Sequence, residues 1–135
     1  MPAVVVERVR IPFVQRASLT LRGVPREAFL VDLGLEGVFV ETREALAPGE
    51  DVEIRFRLPG NALPLAARGR VAWVHSGDAG HAGLPQGMGV QFVAMAEADR
   101  ERLRDYLEDY CRRHGRARRF ARPWPGAASA QGGEP

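Results

Sequence analysis

The stretch of sequence that decides the fold is DVEIRFRL, residues 51–58. Apolar side chains occupy every second position of this stretch, and charged side chains occupy all the other positions. Because successive side chains of a β-strand point to opposite faces, the stretch is predicted to be a strand with one dry and one wet face. Such a strand is typical of an antiparallel sheet that is covered on one side. The apolar positions are Val52, Ile54, Phe56 and Leu58.

Turn signals bound this strand, and further strands are predicted beyond them. Residues 47–49 and 58–61 each contain a Pro-Gly pair, in which proline presets φ and glycine accepts a positive φ. Short alternating or apolar runs separated by glycine-rich turns predict five more strands. These strands are residues 18–22, 28–31, 38–42, 65–75 and 87–95.

The hydrophobic period changes after the last predicted strand. Five residues lie at the i, i+3, i+4, i+7 and i+8 positions of one helix face: Leu103, Tyr106, Leu107, Tyr110 and Cys111. Gly115 follows as a stop signal. The predicted fold class is therefore all-β with one C-terminal helix, a small six-stranded antiparallel β-barrel capped by an amphipathic α-helix. Closing the barrel removes the edges that an open sheet would expose.

Three segments are predicted along the chain. Residues 1–14 are interpreted as an extended N-terminal arm that Pro12 stops, and residues 15–114 as the barrel with its C-terminal helix. Residues 115–135 form a basic and then Gly/Ala/Pro-rich tail without a packing pattern, and they are predicted to be disordered.

The composition indicates one ordinary globular domain. The chain has 135 residues, of which 45% are hydrophobic and 27% charged. No apolar run is long enough to span a bilayer, and no secretory signal is apparent. The single cysteine, Cys111, excludes an intramolecular disulfide and fits a reducing compartment, so a cytoplasmic location is expected.

Charge is concentrated at the C-terminal end. The basic residues number 19 and all are arginine; residues 112–135 hold six of them against one acid. Two aromatic residues are interleaved with these arginines, so the segment is a candidate surface for nucleic acid, anionic lipid or an acidic partner, or for docking onto the barrel. The residues of this candidate partner-binding tail are Arg112, Arg113, Arg116, Arg118, Arg119, Phe120, Arg122 and Trp124.

Several short motifs in order resemble the PilZ domain family. The stretch DLGLEG, residues 32–37, is similar to that family's Asp/Asn-x-Ser-x-x-Gly motif. The resemblance continues through LAPGE at 46–50, RVAWV at 70–74 and GVQF at 89–92, and it covers roughly residues 8–112. No single motif is specific, but their order and spacing together are.

The resemblance implies a six-stranded barrel that receives the bacterial second messenger cyclic di-GMP. In the family, an Arg-x-x-x-Arg stretch ahead of the barrel grips phosphates and a guanine edge, and the Asp/Asn-x-Ser-x-x-Gly turn holds the other side. Guanidinium forks suit such acceptors because they bind bidentately. The candidate nucleotide-binding residues implied for this chain are Arg8, Arg10, Arg16, Asp32, Gly34 and Gly37.

This sequence departs from both binding motifs. Val6 stands four residues before Arg10, where the family has its first arginine, and Gly34 replaces the motif serine. Two lost charge-assisted contacts weaken binding by about 10²–10⁴. Restoring both with Val6→Arg and Gly34→Ser is therefore expected to raise affinity. Gly37 is expected to serve a backbone with positive φ, and Gly34 to be an ordinary turn glycine or to open space for a closely approaching partner.

Three functional readings follow. The first is a non-enzymatic PilZ-type regulatory module in control of motility, pilus or surface polysaccharide, acting mainly through protein contacts with weak or no nucleotide binding. The second is a true cyclic di-GMP receptor that uses Arg8, Arg10 and Asp32. The third, of another class, is binding of nucleic acid or an anionic surface through the arginine-rich tail, of which the nucleic-acid form is disfavoured.

Other chemistry has weak support in the sequence. His75, Asp78 and His81 flank a glycine-rich loop but offer only three possible metal ligands, so no metal site is predicted. Cys111 and His114 are one turn apart on the helix without an orienting acid, so a nucleophilic pair is not predicted either. No enzyme activity and no cofactor are expected, with cyclic di-GMP as the possible ligand.

Overall fold

A computed structural model of the protein describes residues 6, 9–43, 46–75, 86–114 and 118–119. The predicted strands and helix are present, and a short seventh strand follows the helix. The elements are β1 (Val9–Leu21), β2 (Val24–Gly34), β3 (Gly37–Glu41), β4 (Asp51–Phe56), β5 (Leu65–His75), β6 (Gly87–Met95), α1 (Glu97–His114) and β7 (Arg118–Arg119).

Strands β1–β6 form a closed antiparallel barrel within the described residues. Neighbouring strands follow the order β2-β3-β6-β5-β4-β1, and β1 also pairs with β2, which closes the ring. The alternating stretch that predicted the fold supplies β4, whose Val52, Ile54 and Phe56 are at most 2% exposed. The predicted six-stranded barrel with a C-terminal helix is confirmed.

Helix α1 covers the apolar core at one point of the barrel wall. Leu103 and Leu107 are fully buried, and burying one such side chain contributes about 1.5–3 kcal/mol. The ring of Phe13 lies edge-on to both Phe56 and Tyr106, with centroids 5.9 and 5.8 Å away. The helix face predicted from the sequence therefore packs inward. No helix in the described part of the chain is long and apolar enough to cross a membrane.

The N-terminal strand begins earlier than the sequence predicted. The first strand was predicted at residues 18–22, after an arm ending at residue 14, but β1 already begins at Val9. Val9, Ile11 and Phe13 alternate toward the core and are at most 5% exposed. Pro12 does not stop the strand, because the β1–β2 pairing shifts register between Pro12 and Gln15, and a bulge accommodates a residue without an N–H.

Tight turns set the registers of the hairpins. Arg22 and Gly23 connect β1 to β2 with φ angles of 51° and 80°, as a two-residue hairpin turn with positive φ at both positions requires. Gly49 and Gly60 have φ angles of 96° and 78°, which confirms the predicted Pro-Gly turns.

One part of the tail is ordered against the barrel. The sequence predicted no regular structure from residue 115 onward, but Arg118–Arg119 form β7. This strand pairs antiparallel with Val9 and Arg10 at the start of β1. A pairing between segments more than a hundred residues apart has no local sequence signal, and the strand is too short to show a periodicity.

Candidate functional site

The candidate site lies where the start of β1 meets the end of β2. Asp32 and Gly34 are near the end of β2, and Gly37 begins β3 after a two-residue turn. On β1, Arg10 is the cross-strand partner of Gly34, and Pro12 that of Asp32. The fold therefore brings Arg10, Asp32 and Gly34 together, as the motif resemblance implied.

Arg10 and Asp32 form an ion pair with each other. A terminal guanidinium nitrogen of Arg10 donates to Oδ1 of Asp32 at 2.5 Å, and the two side chains are 11% and 9% exposed. Charges withdrawn from water to this degree are stable only with a close opposite charge, and each side chain supplies that charge to the other. The two charged side chains that survive from the binding motifs are thus engaged with each other.

Gly34 is a glycine because β1 passes close to it. A Cβ atom at this position would lie 2.8 Å from the carbonyl oxygen of Val9 and 3.0 Å from Cγ of Arg10. The φ angle of Gly34 is not positive, and the residue belongs to β2 rather than to a turn. The reading as an ordinary turn glycine is therefore wrong, and the space is taken by the chain's own first strand.

Gly37 is also required by close packing rather than by its own backbone angle. Its φ is not among the positive values, so the expectation of a positive φ is wrong. A Cβ here would run into the carbonyl oxygen of Val90 on β6, to whose strand β3 is paired. The close spacing of β3 and β6 therefore requires glycine at this position, and one sequence does not reveal that spacing.

Position 6 faces the core. Val6 is fully buried, and its carbonyl oxygen accepts a hydrogen bond from the N–H of Val9 at 3.2 Å. An arginine at this position would have to bring its charge into an apolar cluster or displace the segment. Arg8, the other arm candidate, lies outside the described residues.

Arg16 is separated from the Arg10–Asp32 pair. Six residues along β1 correspond to roughly 20 Å. Arg16 is exposed, lies 3.2 Å from a carboxylate oxygen of Glu27, and has its guanidinium 5.6 Å from the ring centroid of Phe29. Arg16 lines a groove of about 450 Å³ together with Glu41 and Thr42. The structure thus assigns Arg16 to a different part of the surface from the other candidates.

An aromatic group that the sequence patterns did not indicate lies beside the site. Phe39 is the cross-strand partner of Asp32 on one side and of Gly89 on the other, and Gly89 is partnered by Trp73. Phe39 is fully buried, and its ring lies 5.3 Å from that of Trp73, whose Nε1 is buried without a hydrogen-bond acceptor in the described part of the chain. His75 lies edge-on to Trp73 at 6.4 Å.

The missed group had a detectable signal. Val38 and Val40 belong to the core, so alternation directs Phe39 to the opposite face of the barrel wall. A large aromatic side chain at an outward position is unusual unless something covers it. Its cross-strand neighbour Gly89 leaves room for the two rings to meet.

The remaining predicted candidates have varied positions. Arg112 and Arg113 are on the last turn of α1, where they approach Glu108 and Asp109 at 3.9 and 2.8 Å. Arg118 and Arg119 lie in β7 beside Arg10. The other tail candidates, Arg116, Phe120, Arg122 and Trp124, lie outside the described residues.

The alternative chemistries find no further support among the residues that the structure describes. No group of three or more metal-ligating side chains is present in that part of the chain. His75 is buried, and Asp78 and His81 lie outside the described residues. Cys111 packs against the core, and the ring of His114 stacks on Tyr110 at 4.2 Å.

A comparison with protein families decides the relationship of this chain. The model of the PilZ domain matches residues 7–109. The chain belongs to the PilZ domain family. This match covers nearly the same residues, 8–112, over which the motifs indicated the resemblance. No curated protein matches the sequence.

Solved structures show the same PilZ fold at low identity. The inhibitor of motility MotI/DgrA of Bacillus subtilis is 17% identical with a TM-score of 0.65, and the match covers 80% of this chain and 51% of that one. The PilZ domain of Escherichia coli YcgR with cyclic di-GMP is 15% identical with a TM-score of 0.55, covering 80% and 90%. PlzA of Borreliella burgdorferi in complex with cyclic di-GMP is 14% identical with a TM-score of 0.52, covering 73% and 39%.

Two of these solved chains are matched over only part of their length. This PilZ chain spans about half of the MotI/DgrA chain and about two-fifths of the PlzA chain that it matches. At these identities the likeness establishes the fold, and the ligands of those proteins remain theirs.

Proposed function

We propose that this PilZ domain is a non-enzymatic regulatory module in cyclic di-GMP-linked control of motility, pilus function or surface polysaccharide. In this proposal it acts in the cytoplasm, mainly through contacts with protein partners, and binds the nucleotide weakly or not at all. Family membership supports a regulatory role, because PilZ domains are regulatory and receptor modules. Two fold neighbours that hold cyclic di-GMP, and one described as an inhibitor of motility, support the signalling context.

The Arg10–Asp32 ion pair is the observation that carries the weak-binding part of the proposal. A nucleotide phosphate that captured Arg10 would leave the Asp32 carboxylate nearly buried without its counter-charge. Leaving one member of a buried pair uncompensated costs about 3–5 kcal/mol, and each 1.4 kcal/mol is tenfold in affinity. The nucleotide would have to supply new contacts worth that much before any net binding appeared.

The closed position at Gly34 supports the same conclusion. The family's serine hydroxyl is missing there, and the Cβ atom that would carry it would lie 2.8 Å from the carbonyl oxygen of Val9 on β1. With Val6 buried in the core, the arm offers no second guanidinium at the family's spacing. Neither lost donor is replaced at its own position.

Calorimetric titration of the full chain with cyclic di-GMP tests the proposal. We expect no saturable heat below tens of micromolar nucleotide. Two matched variants, Arg10→Met and Arg16→Met, remove one guanidinium each from β1. If weak binding is detected, Arg16→Met should not abolish it. Arg10→Met either abolishes it or leaves it unchanged. A dissociation constant at or below the low micromolar range that depends on Arg10 and Asp32 would establish the receptor reading instead.

A further inference from the structure

A second groove lies on the outer face of the barrel, away from the Arg10–Asp32 pair. It has a volume of about 660 Å³ and crosses β1, β4 and β5 to the end of β6. Its floor consists of small side chains, which leave a depression between the longer ones that flank it. The small floor residues are Ser18, Thr20, Ala66, Ala94 and Ala96.

Two arginines of this groove have no carboxylate partner. Arg55 and Arg68 both line it, and within the described part of the chain neither makes an ion pair or a side-chain hydrogen bond. Glu53, the cross-strand partner of Arg68, is the one acid among the lining residues, so the groove carries two guanidinium groups against one carboxylate.

Three other outward arginines of the barrel have carboxylate neighbours within the chain. Arg16 faces Glu27 at 3.2 Å and Arg22 faces Glu50 at 2.8 Å. Arg70 approaches Asp51 at 3.9 Å. These three arginines are compensated within the chain, whereas the two in the groove, like Arg57 two residues beyond Arg55, form no ion pair in the described part of the chain and are available to an external anion.

The lining indicates the kind of anion. None of the described residues that line the groove is aromatic, so they offer a nucleotide base no surface on which to stack. A shallow floor of alanine, serine and threonine admits an extended chain, and guanidinium forks on its flanks match carboxylates bidentately. We propose that this groove docks an extended acidic segment of a partner protein through Arg55 and Arg68.

The docking groove and the motif site share one strand but not one surface. Arg10 stands near the start of β1, and Ser18 and Thr20 stand near its end. The proposal deepens the protein-contact part of the proposed function, on which it rests. It does not depend on nucleotide affinity, so the cyclic di-GMP titration can fail or succeed independently of it.

Binding of a fluorescein-labelled decaglutamate peptide to the full chain tests the groove. Self-repulsion keeps this peptide extended. Arg55→Glu with Arg68→Glu should weaken binding by about tenfold or more, because two charge-assisted contacts become repulsive. The control, Arg26→Glu with Arg43→Glu, changes the net charge equally outside the groove and should leave affinity within about twofold. Amide shifts of the ¹⁵N-labelled chain should change at residues 53–55 and 66–68.

Three outcomes would overturn the proposal. Equal losses in the two double variants would mean that the peptide senses only net charge. A larger loss in the control, with amide shifts outside the groove, would place the peptide elsewhere on the chain. Displacement of the peptide by inorganic phosphate at constant ionic strength would make the groove a small-anion site. Amide spectra of each variant, recorded without peptide, verify that the barrel is folded.

Discussion

Two ion pairs join the same two strands and differ in almost every other respect. Arg10–Asp32 and Arg16–Glu27 both connect β1 to β2. The first is 2.5 Å long with side chains 11% and 9% exposed, whereas the second is 3.2 Å long with side chains 68% and 70% exposed. Water screens the exposed pair, so its partners separate at little cost, while the buried partners depend on each other.

The difference supports the proposal that the surviving motif residues bind the nucleotide weakly or not at all. Asp32 sits where a ligand-facing carboxylate is expected from the family motif, yet burial makes Arg10 its necessary partner. Arg16, by contrast, can exchange Glu27 for another anion but lies far along the strand from the motif. The accessible arginine, Arg16, is thus remote from the motif, whereas the motif arginine, Arg10, is nearly buried.

The largest expected effect comes from breaking the buried pair. Asp32→Ala leaves the guanidinium of Arg10 nearly buried without its counter-charge, and we expect it to lower the free energy of unfolding by about 3–5 kcal/mol. Chemical denaturation of the full chain, monitored by tryptophan fluorescence, measures this loss. Arg10→Met combined with Asp32→Leu should recover most of it, because no charge then remains buried.

The exposed pair supplies the matched control. Glu27→Ala removes a carboxylate from the same strand pair and should change the free energy of unfolding by less than about 1 kcal/mol. Similar losses in Asp32→Ala and Glu27→Ala would contradict the comparison, since burial would then make no difference. Failure of the double replacement to recover stability would show that Asp32 has a role besides pairing with Arg10.

Most of the barrel could be predicted from local patterns. The alternation in residues 51–58 predicts β4, and the helical spacing of Leu103 and Leu107 predicts the buried face of α1. The start of β1 was missed because Pro12 was taken as a stop, although Val9, Ile11 and Phe13 alternate around it. A bulge that tolerates proline depends on the partner strand, which local sequence does not specify.

The candidate site was predictable as a location but not as a geometry. The motif resemblance assigned Arg10, Asp32 and Gly34 to one candidate site, and the pairing of β1 with β2 brings these residues close together. It could not show that Arg10 would bind Asp32, because the side-chain pairing depends on the register of β1 against β2. The reasons for glycine at positions 34 and 37 were missed for the same cause, since both positions are set by backbone atoms of another strand.

Variants of Gly34 provide a further test of the buried ion pair, because glycine at this position leaves Arg10 the room to reach Asp32. Gly34→Ala and Gly34→Ser each add a Cβ atom 2.8 Å from the Val9 carbonyl oxygen. We expect both to lower the free energy of unfolding by about 1–3 kcal/mol, as overpacking does. The earlier expectation that serine here, with Val6→Arg, restores nucleotide affinity is replaced by the expectation of no gain.

The alanine variant separates the Cβ atom from the hydroxyl group. Equal losses in the two Gly34 variants, measured by chemical denaturation, attribute the effect to steric contact with β1. A stable Gly34→Ser variant that bound cyclic di-GMP more tightly than Gly34→Ala would show that β1 moves aside and that the serine position remains open to a ligand.

The smallest expected effect concerns a third ion pair. It tests whether exposure alone decides how much an ion pair contributes to stability. Arg22, at positive φ in the β1–β2 turn, donates to both carboxylate oxygens of Glu50 at 2.9 and 2.8 Å. Glu50 also accepts a hydrogen bond from the N–H of Ala47 at 2.9 Å. These hydrogen bonds, that from Arg22 first, hold the pKa of Glu50 below its ordinary value of 4.5.

A lowered pKa gives the pair a defined dependence on pH. The stabilisation by Glu50 is fully present above its ordinary pKa of 4.5 and is lost as the pH falls through the lowered value. The urea midpoints of the unmodified chain and Glu50→Gln should therefore differ more at pH 7 than at pH 3. In an Arg22→Met background most of this pH dependence should disappear, because the guanidinium is the first cause of the shift. A pH-dependent difference that survived Arg22→Met unchanged would assign the effect to the Ala47 N–H, and exposed pairs on this barrel would then contribute nothing measurable.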